Sequence, residues 1–269
     1  MLNQMMEPNS NPKQAQPARE RGEQLELGFR PRGGARAGAG RKARPERLGL
    51  LPHLTRERHR AYEPVHVTAR AVRSVPNLRS EVVFGALRAV FARSSEKGFR
   101  LLHYSVQGNH VHLIAEADDG VAFARGVQRL LSRAAMAVNA LARRSGSVWR
   151  DRHHREPLTT PSQVRNAYAY VLFNLRKHEV EGGNPSDATL DAFDECSSAR
   201  WFEDWSPAAP APPDSLARAG PRVVAAPQTW LARRGWKPRG LLRFDEVPRT
   251  RPTGARAGRR AARRRPAAS

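Results

Sequence analysis

A tight hairpin near the centre of the chain limits the fold more than any other pattern in the sequence. Residues 99–107 and His110–Ala117 both alternate in side-chain character, as strands with one buried face do. Only Gly108 and Asn109 lie between them, and a two-residue turn of this composition joins adjacent antiparallel strands. We therefore expect these two strands to be neighbours in an antiparallel sheet. In the first of them, one face should carry Leu102, Tyr104 and Val106.

The patterns on either side of the hairpin define the fold class. Residues 64–71 alternate as a first strand, and residues 80–97 have a helical period with Val82 on the buried side and Gly98 at the end. The longest helix is predicted over residues 121–144 and a fourth strand over residues 147–158. The order β-α-β-β-α-β is that of a ferredoxin-like split unit, an α+β fold with an antiparallel sheet and two helices on one face. The second hairpin strand is then expected in the middle of the sheet.

A further helix begins at Pro161 and should pack over the open face of that sheet. Thr160 precedes the proline and Gln163 follows three positions later, which is the pattern of a capping box. Tyr170 and Asn174 lie four residues apart, so one helix would carry them on a common face beside its apolar stripe. The stripe is predicted to comprise Val164, Tyr168, Val171, Leu172 and Leu175.

Two histidines on the third strand suggest a metal site. His110 and His112 share one face, and two imidazoles on a rigid strand are half of a divalent-metal site. The amide oxygen of Asn174 is the candidate third ligand, with water in the remaining positions, which suits Mg²⁺ or Mn²⁺. Tyr170 is the candidate catalytic nucleophile, because a nearby cation would polarise a phosphate for attack by a phenol. The product would be a covalent phosphotyrosine, which keeps the bond energy for a rejoining step.

These segments together resemble the REP-associated tyrosine transposases, which belong to the single-tyrosine branch of the HUH endonuclease superfamily. The similarity covers roughly residues 48–180 and, more weakly, residues 197–202 and 229–236. It implies metal-dependent cleavage of single-stranded DNA near hairpins or palindromic repeats, with a 5′-phosphotyrosine and a free 3′-hydroxyl. The segments that carry it are Val65-His-Val-Thr68, Asn109-His-Val-His-Leu113, Trp149-Arg-Asp-Arg-His-His154 and Tyr170-Val-Leu-Phe-Asn174. By position it assigns His110 and His112 to the metal, Tyr170 to the nucleophile and Asn174 to the third ligand.

The chain departs from the family pattern in two places. Family members often continue after the asparagine with Pro-Val-x-Ala-Gly, whereas this chain reads Leu175-Arg-Lys-His-Glu179. The residue before Asn109 is commonly proline and here is Gly108. Neither change removes a proposed chemical group, so both concern the local backbone and the positioning of DNA.

Aromatic and basic residues interleave before the tyrosine helix and are candidate contacts to single-stranded DNA, since bases stack on aromatic faces and phosphates pair with cations. Trp149 either stacks on bases or packs inward, and His154 either touches DNA or supports the site. Lys177 either holds the scissile phosphate or caps the end of its helix. His103 is expected to be a packed strand residue. The candidate DNA-binding residues are Trp149, Arg150, Arg152, His154, Arg155 and Lys177.

The charge of the chain favours a polyanionic partner. The 269 residues include 47 Lys and Arg against 25 Asp and Glu, a formal net charge of +22, although high-GC coding accounts for part of the excess arginine. With no long apolar segment, the expected partner is nucleic acid and not a membrane. The single cysteine, Cys196, excludes an internal disulfide and a cysteine metal cage. We expect a cytoplasmic, nucleoid-associated protein without a signal segment, as a monomer or homodimer.

Composition divides the chain into four parts. Residues 1–49 are predicted to be a disordered basic arm, residues 50–184 the HUH single-tyrosine nuclease domain, and residues 249–269 a disordered Arg-rich tail. Between them, residues 185–248 are expected to be a partly ordered extension. Its first part should dock tryptophan and phenylalanine side chains on the core, while residues 229–247 would cover either the core or DNA.

Two other functions stay open at this point. A protein that kept the fold but lost turnover would be a domesticated, non-catalytic single-stranded DNA-binding protein. A metal-dependent phosphoesterase would use water in place of tyrosine and would leave no covalent adduct.

Overall fold

The structure, a computed structural model, describes residues 59–183, 193–209 and 221–248. The predicted basic arm at 1–49 and the tail at 249–269 lie outside these ranges. Within them, no helix has the length and apolar character needed to cross a bilayer. In chain order the elements are β1 (Val65–Arg70), α1 (Glu81–Ala92), β2 (Phe99–Val106), β3 (His110–Ala117), α2 (Gly120–Leu141), β4 (His154–Pro157), α3 (Pro161–Leu172) and α4 (Asn174–Glu181).

The strands form one four-stranded sheet in the order β2-β3-β1-β4, and each neighbouring pair is antiparallel. The α+β class, the antiparallel sheet and the hairpin are therefore confirmed, and β3 lies in the interior of the sheet as predicted. Pairing of β1 with β3 places Thr68 opposite His112 and Arg70 opposite His110. The register brings β1 side chains next to the histidine pair.

One face of the sheet packs against α1 and α2. Val67, Val111 and Leu113 project into this layer and are at most 1% exposed. The carboxylate of Asp119 accepts hydrogen bonds from the backbone N–H groups of Val121 and Ala122 in the first turn of α2, and so fixes where that helix begins. Gly126 allows α2 to approach β2 closely, because a Cβ at that position would lie 2.2 Å from the ring of Phe99.

The opposite face of the sheet packs against α3 and the C-terminal segments. Leu102 and Ile114 contribute the sheet side of this second core, and α3 contributes Tyr168. Phe202 and the fully buried Trp236 come from the two C-terminal segments and close it from outside. The aromatic residues of the first part of the extension therefore dock on the core as predicted, and residues 229–247 cover the core.

Hydrogen bonds and an ion pair hold the second C-terminal segment, residues 221–248, against the sheet and α3. The buried carboxylate of Glu116 accepts hydrogen bonds from Arg100 Nε at 2.8 Å and from the backbone N–H groups of Gln228 and Thr229 at 2.6 and 3.0 Å. Arg165 on α3 pairs with Glu246 at 2.8 Å. These contacts give the buried charged groups hydrogen-bond partners at the edge of the apolar layer, and they fix the position of residues 221–248 on the sheet and α3.

The first predicted helix differs from α1 at both its end and its buried face. It ends at Ala92, and Gly98, with φ +85°, instead belongs to a tight turn in which Glu96 and Phe99 exchange backbone hydrogen bonds. Val82 is 67% exposed and Phe84 takes the buried position. The reason is the orientation of the helix, whose inward residues are Val83, Phe84, Leu87 and Phe91.

Two strand predictions also need correction. A bulge between Leu101 and His103 reverses the alternation in β2, so Leu102 faces the second core while Tyr104 and Val106 face the helices. The fourth strand is confined to His154–Pro157. The preceding residues make only an isolated bridge between Ala71 and Trp149. The Trp149 indole turns into the core there and donates to the carbonyl of Leu131 at 2.8 Å.

Candidate active site

The candidate site begins with the histidine pair at the start of β3. The rings of His110 and His112 lie 4.7 Å apart between centroids and are nearly perpendicular. They share the face of the sheet that α3 covers, and the apolar residues between and after them face the helix layer. The alternation predicted from the sequence is therefore confirmed.

The two nitrogens of His112 face different partners. Nδ1 lies 3.1 Å from the hydroxyl oxygen of Thr68 and 3.1 Å from Nε2 of His66, both on β1. Nε2 faces the hydroxyl of Tyr170 at 3.5 Å, a long contact. The ring of His66 also meets Tyr170 edge-on, with centroids 5.8 Å apart. Strand β1 thus holds one side of the imidazole while the other side faces the candidate nucleophile.

The contacts of His66 and Thr68 with His112 were not predicted from the sequence. The signal was present, because both residues alternate with Val65 and Val67 and so share a face of β1. What the sequence did not supply was the register that sets Thr68 opposite His112.

Burial keeps His66, His110 and His112 neutral at pH 7. It lowers the pKa of His112 to about 2, with His66 and His110 adding to the effect. It lowers the pKa of His110 to about 4, with help from the charge of Arg70, and the pKa of His66 to about 4, with help from His154. A neutral imidazole keeps one nitrogen lone pair, which is the form that can bind a cation or accept a proton.

Tyr170 lies on α3 and is partly exposed, and the side chain of Lys177 lies beside it. The ammonium group of Lys177 sits 5.3 Å from the centroid of the tyrosine ring. Lys177 also pairs with Glu181 one turn further along α4, at 3.1 Å.

The capping box predicted at the start of α3 is present. The Thr160 side chain accepts a hydrogen bond from the backbone of Gln163, and the Gln163 side chain accepts one from the backbone of Thr160. The cap and the buried stripe fix the side of α3 that Tyr170 occupies.

The prediction that Tyr170 and Asn174 belong to one continuous helix was wrong. Helix α3 ends at Leu172, and Phe173 has φ −115° and ψ 24°, outside the helical region, before α4 begins at Asn174. The break lets Phe173 and the guanidinium of Arg176 turn into the second core, where they stack 4.8 Å apart. Asn174 is fully buried, and neither polar atom of its amide has a hydrogen-bond partner among the described residues.

The three predicted ligands fit a divalent cation by residue type. Within the described ranges, no three His, Cys, Asp or Glu side chains are grouped so as to hold a metal. His110 and His112 supply two neutral imidazoles, and the unpartnered amide oxygen of Asn174 is a donor of the kind that Mg²⁺ and Mn²⁺ accept. A buried polar group without a partner costs about 1–3 kcal/mol, which a ligand at that oxygen would offset.

His178 is a further residue of the site that sequence reasoning missed. It is exposed on α4, and its ring centroid lies 6.5 Å from that of His110. Its position one helical turn after Asn174 was the available signal. A fourth imidazole, after those of His66, His110 and His112, therefore borders the histidine pair on the solvent side.

The predicted DNA contacts do not form one surface. Trp149 packs inward, and the guanidinium of Arg155 lies 5.7 Å from the ring centroid of Phe123 in the helix layer. His154 is exposed opposite Thr68, on the sheet face that carries His112. Arg150 is exposed, Arg152 is half-buried, and Lys177 borders Tyr170.

No protein-family model matches the chain, and no curated protein matches it. One solved structure, described as a REP-associated tyrosine transposase bound to a REP hairpin, is similar over 66% of this chain and 93% of its own, with a TM-score of 0.44 and 13% identity.

Proposed function

We propose that this protein is a metal-dependent endonuclease and strand transferase for single-stranded DNA, with Tyr170 as the nucleophile. The observation that carries the proposal is the 3.5 Å approach of the Tyr170 hydroxyl to Nε2 of His112, in a cluster of neutral histidines with Lys177 alongside. The resemblance of the sequence motifs to single-tyrosine transposases supports the same chemistry. The element order and the strand order β2-β3-β1-β4 support the ferredoxin-like arrangement expected of that superfamily.

The contacts of His112 favour one tautomer. If Nδ1 carries the proton, it donates to Thr68 or His66, and the lone pair of Nε2 points towards Tyr170. In the other tautomer an N–H group would face the phenol, which would remove the acceptor from the site. Thr68 and His66 therefore act as positioning residues, in the manner of the partners that orient metal-binding histidines elsewhere.

The metal would be held by His110, His112 and Asn174. When bound, a divalent cation supplies positive charge that polarises the scissile phosphate and stabilises the leaving oxygen. The chain itself supplies the nucleophile and a positioning charge, because the ammonium of Lys177 beside Tyr170 attracts the phosphate.

The reaction is an exchange of ester bonds. A bond forms between the phenol oxygen of Tyr170 and phosphorus, and the bond from phosphorus to the 3′-oxygen breaks. The phenol proton is lost and the 3′-oxygen gains one, so the products are a 5′-phosphotyrosine and a free 3′-hydroxyl. Attack by a 3′-hydroxyl on the phosphotyrosine would reverse the exchange and rejoin the strand.

The test uses single-stranded hairpin DNA from the flanks of the gene, labelled at either end and incubated with Mg²⁺ or Mn²⁺. On a denaturing gel, the 3′-end label should migrate with the protein, while the 5′-end label should appear as a shorter free fragment. Tyr170→Phe should abolish the adduct. Tyr62→Phe is the matched control, because Tyr62 is 60% exposed whereas Tyr104 and Tyr168 are at most 1% exposed.

Adducts that persist in Tyr170→Phe would contradict the proposal. Metal-dependent cleavage that survives this change and leaves no adduct would assign the reaction to a phosphoesterase that uses water. Hairpin binding without cleavage under either metal would assign the chain to the non-catalytic DNA-binding class.

A further inference from the structure

The segment that covers α3 presents an exposed tryptophan. Trp230 is 66% exposed and immediately precedes a π-helical turn over Leu231–Gly235. Trp236, directly after the same turn, is fully buried in the second core. The indole of Trp236 thus packs this short turn into the core, while the indole of Trp230 is exposed to solvent.

The exposed indole of Trp230 packs against the backbone of Gly235. A Cβ added to Gly235 would lie 2.4–2.9 Å from three atoms of the six-membered ring of Trp230. The ring therefore rests against backbone that carries no side chain, and this contact limits the positions that the indole can take. An aromatic side chain that is already placed loses little conformational freedom when it stacks on a ligand.

The neighbouring charge is positive and uncompensated. Arg233 and Arg234 are exposed, and no carboxylate of the described ranges forms an ion pair with either. Lys237, only a few residues further on, is by contrast paired with Asp204. We call Trp230, Arg233 and Arg234 the Trp230 patch.

The Trp230 patch is attached rigidly to the rest of the protein. The hydroxyl of Tyr168 on α3 donates to the carbonyl of Ala232 at 3.0 Å, and the rings of Tyr168 and Trp236 lie 5.4 Å apart. The backbone just before the patch is held by Glu116. A ligand bound here would therefore be bound by the folded core.

We propose that the Trp230 patch is a binding surface for single-stranded nucleic acid, separate from the histidine cluster. The indole would stack on one base, and the two guanidinium groups would contact the adjoining phosphates. A single strand fits better than a duplex, because a base must leave its stack to meet the ring. Single exposed aromatic residues are common on protein surfaces. Two features distinguish Trp230: its ring packs against Gly235, and two arginines without an ion-pair partner among the described residues follow it in the same turn.

The test compares two probes with the same phosphate spacing, an oligothymidine 20-mer and an abasic 20-mer, in EDTA so that no metal is present. Binding of the full-length protein is followed by fluorescence anisotropy. Trp230→Ala should weaken binding of the oligothymidine about five- to 150-fold, the range for one stacked base, and should leave binding of the abasic strand unchanged. Replacing both Arg233 and Arg234 by alanine should weaken both probes and reduce the slope of log affinity against log salt by about 1.4.

Matched variants separate this surface from general charge. Tyr62→Ala removes an aromatic side chain that is 60% exposed elsewhere, and the double change Arg88→Ala and Arg125→Ala removes two exposed charges from the helix layer. Neither should reproduce the loss of oligothymidine binding. Gly235→Ala should reproduce the effect of Trp230→Ala while keeping the indole, since the added methyl group displaces the ring.

Three results would overturn the proposal. The first is an equal loss on both probes in Trp230→Ala, which would exclude stacking. The second is an equal loss of oligothymidine binding in the control variants, which would mean that binding depends on the total charge and exposed aromatic area of the protein and not on this surface. The third is unchanged binding in Trp230→Ala, which would exclude the indole from contact with the nucleic acid. All three are independent of Tyr170, because nothing is cleaved in EDTA.

Discussion

Acid should destabilise this protein partly through His103, a buried residue on β2. Its side chain is 5% exposed, with Nδ1 3.2 Å from the hydroxyl oxygen of Ser198. The rings of Tyr168 and Phe202 meet it edge-on, at 4.8 and 5.6 Å between centroids. Burial in this aromatic setting, reinforced by the charge of Arg222, lowers the pKa of His103 to about 3 from an ordinary value of 6.5.

The size of the effect follows from the two pKa values of His103. As the pH falls, the unfolded chain takes up a proton near pH 6.5, while the folded protein stays neutral until about pH 3. The unfolded state therefore binds more protons in this window, and the free energy of unfolding falls by about 1.4 kcal/mol per pH unit. Relative to pH 7, this histidine alone should cost about 2 kcal/mol at pH 5.

The assay is urea unfolding of the wild type and of His103→Gln at pH 5, 7 and 8. From pH 7 to 5 the wild type should lose about 2 kcal/mol more stability than the variant. Protonation of the buried histidines of the candidate site also lowers the stability of the protein in acid. Both proteins contain these histidines, so the difference between them isolates His103. Between pH 7 and 8 the two proteins should change alike, because both states then hold a neutral imidazole.

Equal losses in acid would refute this reasoning. They would mean that His103 takes up its proton in the folded protein as readily as in the unfolded chain. The first C-terminal segment, residues 193–209, which shields it, would then not pack over β2 as described.

Three further predictions concern packing. Gly126→Ala should destabilise the fold by about 1–3 kcal/mol, because its methyl group would overlap the ring of Phe99, whereas Gly85→Ala, with open space around the added atom, should stabilise it by about 0.4–1 kcal/mol; chemical denaturation of both variants checks this pair. Trp236→Ala should cost about 3–5 kcal/mol and lower the melting temperature, since the indole is fully buried. Burial raises the pKa of the Cys196 thiol to about 11, so Ellman's reagent should label it far more slowly in the native protein than in urea.

The parts of the fold that the sequence predicted are those with local causes. The hairpin at Gly108 and Asn109 follows from two residues, and the start of α3 follows from Thr160, Pro161 and Gln163. The face shared by His110 and His112 needs only the alternation of a strand. Each of these features is decided by residues within a few positions of one another, so a linear reading is sufficient.

The parts that were missed depend on contacts between distant segments. The bulge in β2 lets Leu102 reach the second core, which is built largely from residues more than sixty positions further along the chain. The break at Phe173 likewise follows from the packing of Phe173 and Arg176 against that core. The part of His66 in the site required the pairing of β1 with β3. None of these has a local signature, because each is settled by which segments meet.

The position of α3 between the sheet and the C-terminal segments also sets an order of events during synthesis. All four strands and both layer helices leave the ribosome before residues 221–248, which form the outer wall of the second core. A nascent chain therefore completes its histidine cluster before it can hold Tyr170 firmly against it. The packing that holds Tyr170 in place would therefore be completed only after residues 221–248 have been made.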